Sequence, residues 1–307
     1  MFVNLRAEAT IGSSTEFQGI GVHNGKAVTM KALPSQEGFG IVFKRTDIFG
    51  KNPFIKLSPE AVVDPTLCTR VVNNDGVQVT VVEHLLAALR ICGITNALIE
   101  LDSSEAPIMD GSAAVFVKEF KKAGIIRQDS FVPAGVIKRP IVVKSKNGGI
   151  SLTPNEHCKI SVKVSYDKIN PVVGIHNQHS FVLEDGESSL NDIADSRTFG
   201  WVEDYEKIKS MGMALGASEE NTIAIKDDSL INLNGLRNPK ELVMHKCLDL
   251  IGDISVLGYD IIGKIECLNP SHSLNNNMIR TLAKELYRHK IVTTGNTENL
   301  NGRLKFA

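Results

Sequence analysis

One apolar segment interrupted by polar residues constrains this chain more than any other. Apolar residues recur at spacings of three and four from Leu242 to Ile254, which predicts a largely buried helix that runs to about residue 256. His245, Asp249 and Asp253 interrupt this pattern at intervals of four residues. Since positions four apart lie along one side of a helix, an imidazole and two carboxylates form a single polar stripe.

Two interpretations of this stripe are open. A polar stripe on an apolar helix is most often its solvated face. Burial of an unpaired carboxylate costs several kcal/mol or more, so a stripe that is not solvated must face positive partners or a metal. The spacing of His245 and Asp249 would also let one helix supply two ligands to a metal ion. Polar motifs elsewhere in the chain favour the second interpretation.

Composition and charge exclude several classes of protein. The chain has 307 residues and a net charge of −1, so nothing favours nucleic acid or an anionic membrane as a partner. Its five cysteines form no C-x-x-C pair and indicate reduced thiols. The first ten residues lack the apolar core of a signal peptide, and no run approaches the about 18 apolar residues of a membrane span. We therefore expect a soluble, cytoplasmic protein without a transmembrane segment.

The order of the predicted elements indicates an α+β fold of two domains with similar topology. Strand-like alternation occurs between residues 16 and 50, and a helix over 81–90 leads through a glycine-containing turn into a strand over 97–101. The helix of the polar stripe leads in the same way into a strand over 260–266, so His84 and His245 occupy similar positions. Further strands are predicted over 136–144, 159–165, 179–182 and 222–225, and further helices over 113–122, 204–211 and 274–289.

We expect each domain to be a mainly antiparallel sheet packed on helices, with the active site at the domain interface. The predicted boundaries are 1–126 for the N-terminal domain, 133–290 for the C-terminal domain and 291–307 for a tail. Residues 124–134 mix charge, glycine and proline, which is typical of a linker.

Two further histidines are candidates for chemistry. His84 follows Glu83 near the start of a helix, and Glu83 could form a capping box with Thr80 or act on water beside a metal-bound His84. His272 is predicted to lie in a loop after a strand, where it could be exposed or point into a cleft. The asparagines at 275 and 276 are common capping residues.

Two short polar motifs have structural and functional interpretations. Asp110, Gly111 and Ser112 predict a turn followed by a helix N-cap. Residues 195–200 read Asp-Ser-Arg-Thr-Phe-Gly on a predicted loop. This second motif could polarise a substrate carbonyl or cap the helix that follows it.

Taken together, these motifs resemble the UDP-3-O-acyl-N-acetylglucosamine deacetylase (LpxC) family of zinc amidases. Each motif alone is weakly specific, but their common order along the chain is highly specific. They lie at residues 19–25, 40–47, 67–69, 83–84, 107–113, 196–200, 214–218, 245–253 and 272–276. Two positions depart from the family pattern, because Ser271 replaces the usual glycine and Met244 replaces the usual basic residue.

The resemblance implies a catalytic zinc site with a base and an acid beside it. The implied ligands of Zn²⁺ are His84, His245 and Asp249. Glu83 is implied to be the general base. His272, positioned and kept protonated by Asp253, would stabilise the developing charge or protonate the leaving amine.

The resemblance also implies contacts with the substrate. Thr198 would stabilise the oxyanion, Lys246 would lie near the diphosphate, and Phe199 would offer a flat face to the sugar. Further implied substrate-binding residues are Leu67, Cys68 and Gly216. A hydrophobic insert over 201–216 would hold the acyl chain, although an apolar cluster of this kind is more often core. Its candidate lining residues are Met211, Met213 and Leu215.

The expected function is hydrolysis of the 2-acetamido group of UDP-3-O-(3-hydroxyacyl)-N-acetylglucosamine, in lipid A biosynthesis. We expect a monomer that acts on this small molecule. One alternative is a metal-dependent amidase that acts on another acylated amino sugar. A second is a non-catalytic binder of nucleotide sugars or acyl chains, which would have no use for an acid and a base beside a metal.

Overall fold

The computed structural model describes residues 2–63, 65–165, 172, 174–183, 187–286 and 303–305. The first half of the chain forms β1 Phe2–Asn4, β2 Ala7–Ile11, β3 Thr15–Ile20, β4 Ala27–Pro34, β5 Ile41–Arg45, β6 Phe54–Lys56, β7 Arg70–Val72, β8 Gln78–Thr80, α1 Glu83–Ile91, β9 Ala97–Leu101, α2 Ala114–Ala123 and β10 Ile125–Phe131.

The second half repeats this mixture of strands and helices. It forms β11 Ala134–Val136, β12 Ile141–Lys144, β13 Gly149–Thr153, β14 Cys158–Lys163, β15 Gln178–Val182, α3 Glu187–Ala194, β16 Phe199–Trp201, α4 Val202–Ser210, β17 Ile223–Lys226, β18 Ser229–Leu230, α5 Glu241–Ile254, β19 Asp260–Leu268, α6 His272–Leu286 and β20 Arg303–Lys305. Short 3₁₀ turns occur at Gly174–His176 and Ser255–Leu257.

Two larger sheets have the same strand order and the same directions. The first runs β3-β4-β9-β5-β6, and the second runs β12-β13-β19-β14-β15, with β11 beside β19. In each sheet the strand that follows the buried helix is central, pairs antiparallel with a hairpin strand and pairs parallel with the next strand. This equivalence confirms the predicted α+β fold of two similar, mainly antiparallel units. The domain boundaries at 126 and 133 stay predictions.

The main hydrophobic core joins the buried residues of the two larger sheets to those of α1 and α5, and these two helices pack against each other. The first seven residues of α1 are buried, and every residue of α5 except Lys246 is buried. Gly252 permits the close approach of the two helices, because a Cβ atom there would lie 2.1 Å from the carbonyl oxygen of Glu83. The start of α1 is therefore held directly against the polar side of α5.

Several sequence-based boundaries are wrong. The linker predicted over 124–134 contains β10, whose residues Ile125–Phe131 pair antiparallel with β2 by main-chain hydrogen bonds, so its exposed and mixed composition hides the strand. The strand predicted over 136–144 is two strands separated at Pro140, which cannot donate to a ladder. Most of the predicted tail and the end of the helix predicted over 274–289 lie outside the described residues, although β20 pairs with β1. Among the described helices, none has the length and apolar character needed to cross a bilayer.

Candidate active site

The polar stripe of α5 is buried, so its interpretation as a solvated face is wrong. The exposed fractions of His245, Asp249 and Asp253 are 2%, 4% and 2%. Asp249 and His245 lie against His84 at the start of α1, and Asp253 lies against His272 at the start of α6. The stripe is therefore the centre around which distant segments of the chain meet.

His84, His245 and Asp249 form a compact buried group. Nε2 of His84 lies 3.8 Å from Oδ1 of Asp249, and Nε2 of His245 lies 3.3 Å from the same oxygen. One potential ligand atom from each residue lies within 4.8 Å of the other two. This brings together residues that are far apart in sequence, as the resemblance implied.

The chemistry of this group fits a divalent cation. Burial, together with the neighbouring His245, lowers the pKa of His84 to about 3, and burial lowers the pKa of His245. Burial alone would raise the pKa of Asp249, but His245 and Lys246 outweigh it and hold that pKa well below its usual range. Near pH 7 the group therefore offers two neutral imidazoles and one carboxylate, a donor set typical of a catalytic metal site with an open position.

The outer contact of His245 fits the orientation of a metal-binding histidine. The carbonyl oxygen of Ser196 lies 3.1 Å from Nδ1 of His245, which leaves Nε2 turned toward Asp249. A bond from the second ring nitrogen to a carbonyl is the usual way in which a metal-binding histidine is oriented. Nδ1 of His84 is buried and has no hydrogen-bond partner among the described residues.

A carboxylate and an imidazole, Glu83 and His272, lie beside this group. Oε1 of Glu83 lies 3.6 Å from Nε2 of His272, whose Nδ1 lies 2.9 Å from Oδ2 of Asp253. The other oxygen of Glu83 accepts a 2.9 Å hydrogen bond from the backbone N–H of Thr69. The amide of Asn275 donates to Asp253 at 2.8 Å.

These contacts correct three structural interpretations. No capping box forms, because Glu83 turns its carboxylate to Thr69 while the N-cap residue of α1, Val82, makes no side-chain capping bond. His272 is not in a loop but is the first residue of α6, with a side chain that is 12% exposed. Asn275 is not a cap, since it is fully buried and contacts Asp253.

The electrostatics of Glu83 and His272 suit proton transfer near neutral pH. Burial raises the pKa of Glu83 to about 7, against the opposing effect of His272. Burial would lower the pKa of His272, but the carboxylates of Asp253 and Glu83 outweigh it and raise that pKa to about 10. At pH 7 the imidazole is therefore a cation, and Glu83 has a pKa close to the solution pH, as an efficient general base requires.

Comparison with known proteins identifies the family. The family model described as UDP-3-O-acyl N-acetylglycosamine deacetylase, LpxC, matches residues 8–284. The chain belongs to this family. A UDP-3-O-acyl-N-acetylglucosamine deacetylase of Myxococcus xanthus is 39% identical over 93% of this chain and 89% of its own length. Proteins with the same name from Geobacter sp. strain M21 and Campylobacter fetus are 38% and 36% identical, over 90% and 93% of this chain and 89% and 95% of their own lengths.

Within this LpxC chain, Lys246 and Phe199 lie at the edge of the group formed by His84, His245 and Asp249. The ammonium of Lys246 donates to Oδ2 of Asp249 at 2.8 Å and lies 5.2 Å from the centre of the Phe199 ring. That ring lies 6.0 Å from the ring of His245. The backbone of Thr198 is fixed on both sides, by Gly111 and Ile223 at 2.8 Å each. The predicted roles of these side chains toward substrate stay predictions.

The other predicted substrate-binding residues lie on two short segments. Leu67 is 48% exposed and has a positive φ of 63°, while Cys68 is buried and burial raises the pKa of its thiol to about 12. Gly216 packs on the loop at Gly21, whose carbonyl oxygen would lie 2.3 Å from an added Cβ.

The predicted lining residues of the insert are accessible in part. Met211 is 58% exposed and Leu215 is 48% exposed, whereas Met213 is partly buried. Their exposure leaves apolar surface available, and a passage for an acyl chain stays a prediction.

The two polar motifs also have defined places in the structure. Asp110 accepts hydrogen bonds from the backbone and hydroxyl of Ser112, whose oxygen accepts from the N–H of Ala114, so the predicted turn before α2 is present. The second motif leads from α3 into β16, and its carbonyl at Ser196 orients His245.

Sequence reasoning gave no role to Glu241, a further residue of the site. Glu241 is fully buried one turn before His245 and binds the guanidinium of Arg197 at 2.8 Å and the backbone N–H groups of Arg197 and Arg237 at 3.1 and 2.6 Å. It thereby fixes the segment whose carbonyl orients His245. The signal was present, because Glu241 extends the polar stripe upstream at the same four-residue interval.

Proposed function

We propose that this chain is a zinc-dependent amidase that hydrolyses the 2-acetamido group of UDP-3-O-(3-hydroxyacyl)-N-acetylglucosamine to the free amine and acetate, in lipid A biosynthesis. Membership of the LpxC family supports the substrate. The observation that carries the chemistry is the buried group of His84, His245 and Asp249 beside the pair formed by Glu83 and His272.

His84, His245 and Asp249 would hold the Zn²⁺. When bound, the ion supplies Lewis acidity, which polarises the amide carbonyl and makes water more acidic. The protein side chains around it move the protons and position the substrate.

Glu83 takes the proton of the attacking water. Its pKa of about 7 makes the carboxylate basic enough to accept this proton and acidic enough to release it at neutral pH. The hydrogen bond from the backbone of Thr69 occupies Oε2, so Oε1 is the oxygen that remains for water.

His272 donates a proton from Nε2 to the departing amine. Its Nδ1–H is held by Asp253, so the ring stays cationic and keeps one orientation. Breaking the C–N bond then gives the neutral amine, whose one new proton comes from the imidazolium, and acetic acid, which ionises to acetate in solution. Glu83, 3.6 Å from Nε2, returns a proton to the imidazole for the next turnover.

The remaining groups bind the substrate. Thr198 donates a hydrogen bond to the oxyanion, and Phe199 packs against the sugar ring. Lys246 attracts the diphosphate, for which a flexible ammonium is suitable. Leu67, Cys68 and Gly216 contact the substrate beside the insert, where the acyl chain lies. A monomeric state and a cytoplasmic location stay predictions.

An acetate-release assay on the acylated UDP-sugar, combined with metal analysis, tests this function. Glu83→Gln should lower kcat by about 100-fold or more, the usual contribution of a general base, and should leave the zinc content at one ion per chain. Glu100→Gln is the matched control, because Glu100 pairs with Lys44 on the sheet at 2.7 Å and should leave kcat unchanged.

Three results would contradict the proposal. Full activity in Glu83→Gln would remove the base, and tight substrate binding without turnover by the zinc-loaded wild type would indicate a binder. Equal rates with and without the 3-O-acyl chain would point to another acylated amino sugar.

A further inference from the structure

Thr69 contacts both partners of the proposed proton transfer. Its backbone N–H donates to Oε2 of Glu83 at 2.9 Å. Its hydroxyl donates a short hydrogen bond to Oδ1 of Asp253 and lies 3.3 Å from Nδ1 of His272. The residue is 2% exposed, so water does not compete for these bonds.

The segment that carries Thr69 is rigidly held. Arg70 follows directly and opens β7, which pairs with β8 through the Arg70–Thr80 register. The carbonyl of Thr69 faces the N–H of Val82, just before the helix that carries Glu83. Cys68 on the other side is buried. The hydroxyl of Thr69 therefore has a fixed position relative to α1, which carries Glu83, and α5, which carries Asp253.

We propose that Thr69 is a positioning residue that holds the acid and the base in register, an inference that rests on the proposed function. The hydroxyl occupies Oδ1 of Asp253, so Oδ2 is left to His272 and Asn275. This fixes the plane of the carboxylate, and the carboxylate fixes the imidazole whose Nε2 lies 3.6 Å from Glu83. Without the hydroxyl, Oδ1 loses its partner and the carboxylate rotates together with the ring.

Thr69→Val tests this role, because valine matches the shape of threonine, keeps the backbone bond to Glu83 and removes only the hydroxyl. We expect kcat to fall about tenfold, less than the about 100-fold cost of removing an acid or base outright, with KM and zinc content unchanged. Thr69→Ser retains the hydroxyl and should restore kcat to within about twofold of wild type. A purely structural role would instead lower stability without this rescue pattern.

Thr10→Val is the matched control for burying a valine in place of a hydrogen-bonded threonine. The hydroxyl of Thr10 donates to the carbonyl of Asn96 at 2.8 Å, and the side chain is 6% exposed and far from the site in sequence and sheet. The Thr10→Val variant should have a lower unfolding temperature than wild type and the same kcat. If Thr69→Val does not fold, Thr69→Ala, which cannot clash, replaces it in the same comparison.

A double-mutant cycle identifies the partner. Thr69→Val should have almost no further effect on kcat in an Asp253→Ala background, since both changes act on the same contact. Equal effects of Thr69→Val in both backgrounds, or a kcat equal to wild type in Thr69→Val, would overturn the inference. Absence of acetate release in the wild type would instead refute the proposed function, so the two failures are distinguishable.

Discussion

Gly252→Ala is the sharpest test of how the two central helices build the site. Gly252 lies on α5 between Asp249 and Asp253 and faces the backbone of Glu83 on α1. An added Cβ would lie 2.1 Å from the carbonyl oxygen of Glu83 and 2.8 Å from its carbonyl carbon. Both are backbone atoms, so no side-chain rotation can relieve the clash.

The size of the required shift follows from these distances. The added Cβ and the carbonyl oxygen of Glu83 must move apart from 2.1 Å to at least 3.0 Å, the lower limit of real Cβ contacts, which shifts the start of α1 by about 0.9 Å. Glu83 and His84 move with it, away from His245 and Asp249. A misplacement of about 1 Å can cost about 100-fold in rate. Overpacking costs about 1 to 3 kcal/mol, and the helix propensity of alanine offsets only about 1 kcal/mol of it.

We therefore expect Gly252→Ala to fold with slightly reduced stability, to bind zinc more weakly and to lose about 100-fold in kcat. Chelator competition, denaturant unfolding and acetate release measure the three quantities. Gly149→Ala is a suitable control, because the nearest atom to its added Cβ is 3.3 Å away and it lies on β13 rather than at the helix contact. Wild-type zinc affinity and kcat in Gly252→Ala would refute the view that this contact sets the ligand geometry.

Two buried ion pairs give further predictions. Glu241→Gln leaves the buried guanidinium of Arg197 uncompensated, which should cost about 3 to 5 kcal/mol of unfolding free energy and weaken zinc binding in chelator competition; unchanged values would contradict this. Asp260 is bonded to Arg6 and Arg90; burial would raise its pKa, but the guanidinium groups hold that pKa below its usual value. Because the folded-state pKa is lowered, the ionised Asp260 stabilises the fold above about pH 4, and this stabilisation is lost as the pH falls through the folded-state pKa. Asp260→Ala should therefore lower the unfolding free energy by about 3 kcal/mol at pH 7, as measured by denaturant unfolding. A difference from wild type that does not shrink below about pH 4 would refute this.

The parts of the fold and site that could be predicted are those that appear as a regular pattern of residues in the sequence. The four-residue spacing of His245, Asp249 and Asp253 predicted their common face, and the structure has that face. The similar placement of His84 at the start of a helix before a strand predicted two similar units, and the two sheets share one strand order. In both cases the pattern that carries the prediction lies within one helix or one helix and the strand that follows it.

The parts that could not be predicted depend on contacts between distant segments. The Thr80–Glu83 spacing satisfies a capping box, yet Glu83 turns to Thr69, which is brought there by the β7–β8 hairpin. The spacing rule cannot detect this competing donor. Likewise β10 has no alternating pattern because none of its residues is buried, and its main-chain bonds to β2 do not depend on its side chains.

The polar stripe of α5 explains why so many distant segments meet at one place. Each buried polar group on it requires a partner, because an unpaired one would cost several kcal/mol. Glu241 forms an ion pair with Arg197, which precedes β16. Asp253 accepts a hydrogen bond from Thr69, which precedes β7, and contacts His272 at the start of α6. The apolar residues of α5 bury the helix, while its polar residues select which segments surround it. A site assembled in this way should lose function through any of these partners, including those that never touch the substrate.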